Sequence, residues 1–369
     1  MKFIPYGKQH IDKEDIKAVV ETLKSPFLTQ GPKVKEFEEK LATYCGAKYA
    51  VAVSNGTAAL HVAYLAAGIK AGDEVITSPN TFVATSNMLL IIGAKPVFCD
   101  LRPDTCNIDE TKIEKLITKK TKAIVPVHFA GNPCDMDKIK SIAKKHKLLV
   151  IEDACHALGA SFKNKKIGSI SDMSVFSFHP VKSITTGEGG AILTDNKKFF
   201  ERMLTLRSHG IHKDAKGFNV MTSMGWNYRL TDIQAALGTS QLKKLESFIS
   251  ARRQVVKWYE EFFKGQENII LPIETSDSKS AWHIYVIRVK NKKDRLPLMN
   301  FLKEKEIGIN FHYPAVYSHP YYRKNDYSKT KLKEADLYHA TAITLPLFGT
   351  LAREEVKYVT DCVKEYFKI

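Results

Sequence analysis

The sequence predicts an α/β protein in which a mostly parallel sheet is followed by a smaller α+β domain. Apolar strands alternate with helices of about 10–15 residues as far as Leu242, an order typical of parallel sheets with crossover helices. Beyond it, a long helix over 243–263, an alternating strand over 281–289 and an amphipathic helix over 354–367 indicate a different layout. We therefore predict a large domain over residues 1–242, with an N-terminal segment that can pack on the second domain, and a small domain over 243–369.

The individual elements follow from local hydrophobic periodicity and from turn residues. Strands are predicted over 49–53, 74–79, 95–100, 123–128, 148–153, 174–178, 191–194, 281–289 and 308–312. Helices are predicted over 11–24, 34–44, 107–119, 135–145, 243–263, 295–306 and 354–367, and two more begin near residues 54 and 80.

Charge and composition narrow the class of partner. The 369-residue chain has 56 Lys and Arg against 40 Asp and Glu, a formal net charge of +16. Basic and acidic residues are interleaved over 112–122 and 138–147, which indicates solvated helix faces rather than a nucleic-acid-binding arm. We expect no nucleic-acid partner, and a surface field that favours anionic small molecules.

Neither a membrane segment nor a metal site is expected. No apolar run approaches the roughly 18 residues of a membrane helix, and the first residues lack the apolar segment of a signal peptide. We therefore expect a cytoplasmic protein with no membrane association. The six cysteines show no metal-like spacing, so reduced thiols and no bound metal are expected.

Small polar residues follow the first predicted strand. The strand over 49–53 leads directly into Ser54-Asn55-Gly56-Thr57, where a helix begins. Free backbone N–H groups and the helix dipole at such a turn bind phosphate. A plain helix cap by Ser54 or Asn55 is an equally good interpretation of the same residues.

Two further strand ends carry candidate ligand contacts. Glu152 and Asp153 end a continuous apolar strand, where open α/β sheets place their ligands. A carboxylate there needs a positive or hydrogen-bonding partner, and helix capping is the alternative. Phe82 lies just past another strand end, where it can cover a flat ligand or simply pack in the core.

One lysine stands on a polar turn between two predicted strands. Lys182 follows the strand over 174–178 and precedes Gly189-Gly190, which open the strand over 191–194. A partly desolvated amine has a lowered pKa and can attack a carbonyl. Taken alone, Lys182 fits better as one of many surface lysines in a lysine-rich chain.

Several motifs in order resemble a known family. These are 54–60 (SNGTAAL), 152–159 (EDACHALG), 176–182 (FSFHPVK), 187–190 (GEGG), 207–210 (RSHG) and 225–230 (GWNYRL). Together they resemble the fold-type-I enzymes that depend on pyridoxal 5′-phosphate (PLP), and more narrowly the DegT/DnrJ/EryC1/StrS sugar aminotransferases. The resemblance covers essentially the whole chain and implies a large domain with a mostly parallel seven-stranded sheet.

The resemblance also implies roles for individual residues. Lys182 would attach PLP covalently and move protons, and Asp153 would keep the pyridine nitrogen protonated. The other implied cofactor contacts are Gly56, Thr57 and Ser177 on the phosphate, Phe82 stacked on the ring, His156 beside the cofactor, and Asn227 on the phosphate from a neighbouring subunit. Asn227 thus implies a homodimer with shared sites, and Arg229 would contact the donor carboxylate or brace the interface.

Within the family, the segments 178–186, 207–210 and 312–317 resemble C-4 aminotransferases of pseudaminic acid biosynthesis. The implied acceptor is a UDP-linked 4-keto-6-deoxy-N-acetylhexosamine and the implied donor is glutamate. Enzymes making UDP-bacillosamine precursors, GDP-perosamine or UDP-4-amino-arabinose remain alternatives. His312, Tyr313 and Tyr317 are candidate substrate contacts, with domain packing as the other interpretation.

One departure from the family pattern and one retained residue bear on activity. His156 replaces a glutamine common in relatives, a variant found within the family. Lys182 is kept where dehydrating relatives carry histidine, which disfavours dehydration. A catalytically silent PLP-fold binding or regulatory protein is the non-enzyme alternative, and the joint retention of Lys182 and Asp153 argues against it.

Overall fold

The computed structural model describes residues 3–368, and its largest element is a seven-stranded sheet. In chain order the strands are β1 (Tyr49–Val53), β2 (Glu74–Thr77), β3 (Lys95–Phe98), β4 (Thr121–Val125), β5 (Leu149–Asp153), β6 (Ser161–Phe162), β7 (Lys165–Lys166), β8 (Met173–Ser177), β9 (Gly190–Thr194), β10 (Ile211–Lys213), β11 (Asn219–Met221), β12 (Ile269–Ile270), β13 (Ser278–Lys279), β14 (Tyr285–Val289) and β15 (Ala342–Leu345). The large sheet has the order β1-β9-β8-β5-β4-β2-β3, so the predicted α/β class is confirmed.

The helices of the described chain cover the sheets. They are α1 (Lys13–Leu23), α2 (Pro32–Cys45), α3 (Gly56–Ala66), α4 (Ala84–Ile92), α5 (Glu110–Ile113), α6 (Met136–His146), α7 (Lys197–Arg207), α8 (Asp232–Lys243), α9 (Leu245–Phe262), α10 (Arg295–Glu304), α11 (Pro320–Tyr322), α12 (Lys333–Thr341) and α13 (Arg353–Tyr366). Alternate residues of β1 enter opposite cores, with Ala50 and Ala52 on one face and Val51 and Val53 on the other.

The direction of the strands in the large sheet indicates where a ligand site is expected. All neighbouring pairs from β3 to β8 are parallel, whereas β9 is antiparallel to both β8 and β1, so six strands share one direction and β9 alone opposes them. The carboxyl ends of those six strands therefore meet at one edge of the sheet. In such sheets ligands bind at that edge.

A second, three-stranded antiparallel sheet has the order β12-β14-β15. Its core contains side chains of α9, α10 and α13, among them Tyr259, Leu298 and Val359. The N-terminal segment joins the same core, because Ile4 forms a bridge with Ile307 and its side chain is buried. The domain boundary predicted after residue 242 stays a prediction, and it falls within the last turn of α8.

Three predicted elements differ from the observed ones. The helix over 107–119 is reduced to α5 and a short 3-10 turn, Glu114–Leu116. The strand over 281–289 begins only at Tyr285, because Trp282 has a left-handed φ of 48° and its neighbours bond instead to the 130–131 turn. The strand over 308–312 contributes a single bridge, Asn310 to Thr344.

The hydropathy of the helices bears on membrane association. Over residues 3–368, no helix is both long enough and apolar enough to cross a bilayer.

The start of β9 fits closely against the turn after β1, which yields a prediction about stability. A Cβ on Gly190 would lie 2.5 Å from the Asn55 carbonyl oxygen and 2.8 Å from the Gly56 nitrogen. Backbone atoms there cannot swing aside, so we expect Gly190→Ala to lower the free energy of unfolding by about 1–3 kcal/mol. Urea denaturation of the purified variant measures this loss.

Gly7→Ala is the matched control, because its Cβ would meet Val181 at an ordinary 3.5 Å. Equal midpoints for the two variants would contradict the close fit at Gly190.

Candidate active site

A cavity of about 930 Å³ opens at the carboxyl edge of the large sheet. Its volume lies within the range of ligand-binding pockets. Nine of the site residues predicted from the sequence line it: Gly56, Thr57, Phe82, Asp153, His156, Ser177, Lys182, His312 and Tyr313. Strand ends of the large sheet form its floor, and the segment 310–313 beside the second sheet forms part of its wall.

The turn after β1 forms one end of this cleft. The Asn55 side chain accepts a hydrogen bond from the Ala58 N–H at 2.8 Å, so Asn55 caps α3. The N–H groups at the start of a helix have no partner within it, so capping and anion binding are compatible here. A Cβ on Gly56 would lie 3.0 Å from the Ser177 Cβ, so a larger residue here would crowd Ser177 at this end of the cleft.

Asp153 ends β5 and faces the cleft with 5% of its surface exposed. Thr85 donates its hydroxyl to one carboxylate oxygen at 2.6 Å, and the Cys155 N–H donates to the other at 3.2 Å. Within residues 3–368, Asp153 forms no salt bridge with a cationic side chain. A buried carboxylate supported only by neutral donors has lone pairs left for a cationic ligand.

Glu152 lies on the other side of the same strand, fully buried. The Cys134 N–H donates to Nδ1 of His128 at 3.1 Å, which puts the ring hydrogen on Nε2. That Nε2 lies 2.6 Å from Glu152, and the Ser174 hydroxyl donates to the second Glu152 oxygen at 3.0 Å. The two adjacent carboxylates thus separate in role, since Glu152 anchors the strand end and Asp153 faces the ligand space.

Lys182 lies on the turn that follows β8, where its backbone N–H donates to the His179 carbonyl. Burial lowers the pKa of its amine, while Cys155 and Asp153 act weakly in the opposite direction. Its Nζ lies 3.4 Å from Nε2 of His283. A desolvated amine of this kind is suited to nucleophilic attack on a carbonyl.

Three imidazoles surround this amine, and all three favour their neutral form. Burial, reinforced by the charge of Lys182, lowers the pKa of His156 and of His283 well below the usual value. The same two causes lower the pKa of His312 to about 4. Near neutral pH these rings therefore act as uncharged donors and acceptors.

Aromatic side chains form the opposite wall. The Tyr313 hydroxyl lies 3.1 Å from Nε2 of His156, and the Tyr313 ring centroid lies 6.1 Å from that of Phe82. Phe82 is 59% exposed, so it belongs to no core in this chain and presents an apolar face to the cleft. Tyr6, from the N-terminal segment, lies beside His312 with their ring centroids 5.6 Å apart.

Three predicted site residues lie outside the cleft of this chain. Tyr317 donates its hydroxyl to Asp336 at 2.6 Å and packs against Phe98, so the structure does not bring it to the ligand space. Asn227 is exposed on the surface and bridged to Ser208. Arg229 borders a separate depression of about 230 Å³.

Sequence reasoning missed Tyr6, Thr85 and His283, which the fold brings to the cleft. Thr85 sits inside α4 and His283 inside an apparent strand pattern, so neither carried a local signal. Tyr6 precedes every predicted element, and it is held near the cleft by the nearby bridge from Ile4 to Ile307 and by its own carbonyl, which accepts the Leu347 N–H.

Comparisons with known proteins agree with this geometry. The profile of the DegT/DnrJ/EryC1/StrS aminotransferase family matches residues 9–364. A Campylobacter jejuni protein named UDP-4-amino-4,6-dideoxy-N-acetyl-beta-L-altrosamine transaminase is 40% identical over 364 residues, covering 97% of this chain and 96% of that protein. The structure of Helicobacter pylori PseC, described as an aminotransferase involved in the biosynthesis of pseudoaminic acid, matches with a TM-score of 0.96 and 37% identity over 100% of both chains.

The PLP form of Spr1654 from Streptococcus pneumoniae also matches, with a TM-score of 0.94 and 30% identity over 99% of each chain. These matches span the large sheet, the second sheet and the cleft between them. The resemblance seen in the motifs is confirmed, and so is the enzyme class it implied. The chain belongs to the DegT/DnrJ/EryC1/StrS aminotransferase family.

Proposed function

We propose that this enzyme uses PLP to transfer an amino group from glutamate to the C-4 keto group of a UDP-linked 4-keto-6-deoxy-N-acetylhexosamine, as in pseudaminic acid-type pathways. The observation that carries the proposal is that Lys182 and Asp153 line the same cleft. Lys182 has a desolvated amine, and Asp153 is a buried carboxylate that forms no salt bridge within residues 3–368. The names of the C. jejuni and H. pylori relatives support the choice of substrate.

The residues of the cleft fit PLP chemically. Asp153 provides the negative charge that a protonated pyridine nitrogen requires. The N-terminus of α3 at Gly56 and Thr57, with Ser177 beside it, provides donors for a phosphate. Nδ1 of His156 is buried without a partner among the described residues, so it can bond to a bound group. When bound, PLP supplies an electron sink for the carbon that loses its proton.

The protein then supplies attachment, orientation and proton transfer. Lys182 would hold the cofactor covalently and, once released, take a proton from the donor carbon and return it to the cofactor. Asp153 would keep its partner nitrogen charged, with Thr85 fixing the carboxylate. Phe82 would cover one face of the ring and His156 would lie beside it.

The wall of the cleft suits a sugar nucleotide. Tyr6, Phe82 and Tyr313 present aromatic surface, which packs against sugar and base rings. His312 adds a neutral polar contact near the second sheet, with its Nδ1 3.0 Å from the Thr344 hydroxyl. The net charge of +16 attracts a diphosphate.

The substrate is tested by incubating the enzyme with PLP, glutamate and a panel of 4-keto sugar nucleotides. We expect 2-oxoglutarate and an amino sugar from the UDP-N-acetylhexosamine substrate. Preference for the UDP-bacillosamine precursor, the GDP-perosamine precursor or the UDP-arabinose ketone would reassign the acceptor. Failure with every ketone would contradict the proposed substrate class.

A homodimer is the second part of the proposal. Asn227 is exposed in the chain, so its implied contact with a cofactor phosphate would be made in a partner's cleft. The neighbouring β10–β11 hairpin exposes Phe218, Val220 and Met221, an apolar patch that a second copy would cover.

Replacement of Lys182 by alanine is expected to abolish transfer while leaving the fold intact. Without the amine, covalent attachment and proton transfer are both lost, so turnover should fall by about 10²–10⁴-fold or more. Mass spectrometry after borohydride reduction should show no PLP bound to the variant. Lys119→Ala is the control on an exposed lysine, and comparable activity in the two variants would refute the role of Lys182.

Replacement of Asp153 by asparagine keeps the shape of the side chain and removes its charge. The charge-assisted contact with the pyridine nitrogen is then lost, and we expect PLP to dissociate at least about tenfold more readily. Equilibrium dialysis against PLP measures this directly. An affinity equal to that of the unaltered enzyme would remove Asp153 from its proposed role.

A complementation experiment tests the shared site. Asn227→Ala and Lys182→Ala should each be impaired, yet dimers mixed from the two chains contain one intact site if Asn227 acts in the partner's cleft. After equal mixing and reassociation, activity should recover to about a quarter of normal. No recovery would mean that Asn227 and Lys182 of one chain act in the same cleft. Full activity of Asn227→Ala alone would exclude a cofactor contact.

A further inference from the structure

We propose that His283 is a positioning residue for Lys182, whose released amine it holds at the floor of the cleft through Nε2. The proposal rests on the proposed role of Lys182 in amino transfer. Nε2 of His283 lies 3.4 Å from the Lys182 Nζ, a contact across 101 positions of sequence. His283 is 4% exposed, and the described residues offer its Nε2 no other hydrogen-bonding partner.

The backbone that carries His283 is held from two sides. Its N–H donates to the Ala130 carbonyl at 2.9 Å, and its own carbonyl accepts from the Arg252 guanidinium at 3.1 Å. A Cβ on Gly131 would lie 2.9 Å from the Trp282 nitrogen, so only glycine permits this approach. The backbone of residue 283 is therefore held by the 130–131 turn on one side and by Arg252 of α9 on the other.

Trp282, the residue before it, adopts a left-handed φ of 48°. A bulky side chain in that region costs free energy, and it persists only where the surroundings impose it. This turn interrupts the strand pattern and places residue 283 at the cleft. Strained backbone beside a reactive group is typical of functional sites.

The imidazole of His283 can hydrogen-bond to the Lys182 amine whether the amine is protonated or neutral. Nδ1 of His283 is buried and has no partner among residues 3–368, so no hydrogen bond fixes the tautomer. With the ring hydrogen on Nδ1, Nε2 accepts from the ammonium form of Lys182. With the hydrogen on Nε2, the ring donates to the lone pair of the neutral amine.

The charges around the ring keep it neutral. Lys182 and Arg252 are the cations facing it, and His156 and His312 are the other titratable rings. Asp153 and Cys155 act on Lys182 rather than on His283. The Arg252 guanidinium is buried, and its bonds run to the carbonyls of His283, Leu347 and Val181. An extra proton on His283 would thus be opposed by two cations.

His283 would affect amino transfer by limiting where the released Lys182 amine can lie. After its release from the cofactor, the four-carbon chain of Lys182 can reach many orientations, and a fixed acceptor restricts the amine to one region of the cleft. A neutral acceptor also stabilises the ammonium form of the lysine that has taken up a proton. His283 itself neither gains nor loses a proton in this scheme.

The test compares three substitutions at this position. His283→Phe keeps the ring and removes both nitrogens, whereas His283→Gln places an amide near the position of Nε2, and His283→Asn places one nearer to Nδ1. In the full-length protein freed of cofactor, the pKa of Lys182 is measured from the pH dependence of its acetylation, read by mass spectrometry. In the loaded enzyme, kcat and KM for glutamate are measured.

We expect His283→Phe to lower the Lys182 pKa by about one unit, because both bonds to the amine are lost and the one to the charged ammonium is the stronger. We expect kcat to fall about tenfold with little change in KM. His283→Gln should restore both values and His283→Asn should restore neither. If the phenylalanine variant does not fold, the Gln and Asn pair carries the comparison.

An unchanged Lys182 pKa in His283→Phe, or equal behaviour of the Gln and Asn variants, would overturn the proposal. These outcomes are separable from a failure of the proposed function. If the unaltered enzyme transfers no amino group while the Lys182 pKa still depends on residue 283, the contact stands and the assigned reaction is wrong.

Discussion

The site depends on one buried carboxylate, that of Asp153, whose hydrogen-bond donors among residues 3–368 are neutral. Asp153 is held at the end of β5 by a threonine hydroxyl and a backbone N–H, while the His128–Glu152 pair fixes the same strand from behind. An ionised carboxylate in such surroundings is costly until a cation joins it. The proposed role of Asp153, to bind a positively charged ring nitrogen, rests on this arrangement.

Lys182, in the same cleft, is a cationic group in surroundings that disfavour its charge. Its amine is desolvated among imidazoles that remain neutral, so the cleft contains little competing charge. Asp153 and Lys182 thus lie in different environments of one cleft, which suits the carboxylate and the amine to different chemical tasks. Their supports come from distant parts of the chain, since Thr85 lies in α4 and His283 just before β14.

Local patterns predicted the strand ends, and with them the positions of Gly56, Asp153 and Lys182, because strand–turn–helix units leave a mark in sequence. Ser177 was named only through the family resemblance. Local patterns did not predict Thr85 or His283, which depend on tertiary approach. The misplaced strand start at 281 has the same origin, since residues 281 and 283, on either side of the left-handed Trp282, bond to the 130–131 turn. Tyr317 lies outside the cleft of this chain, because its hydroxyl bonds to Asp336 and its ring packs on Phe98, in line with the domain-packing interpretation.

The position of the N-terminal segment constrains the order in which parts of the chain can fold. Ile4 pairs with Ile307, so two strands of backbone roughly 300 residues apart must meet before Tyr6 takes its place. During synthesis, the segment around Ile4 can form this bridge only after the segment around Ile307 has emerged. The strands of the large sheet precede Ile307 in the chain, so the sheet can form before the cleft acquires its Tyr6 wall.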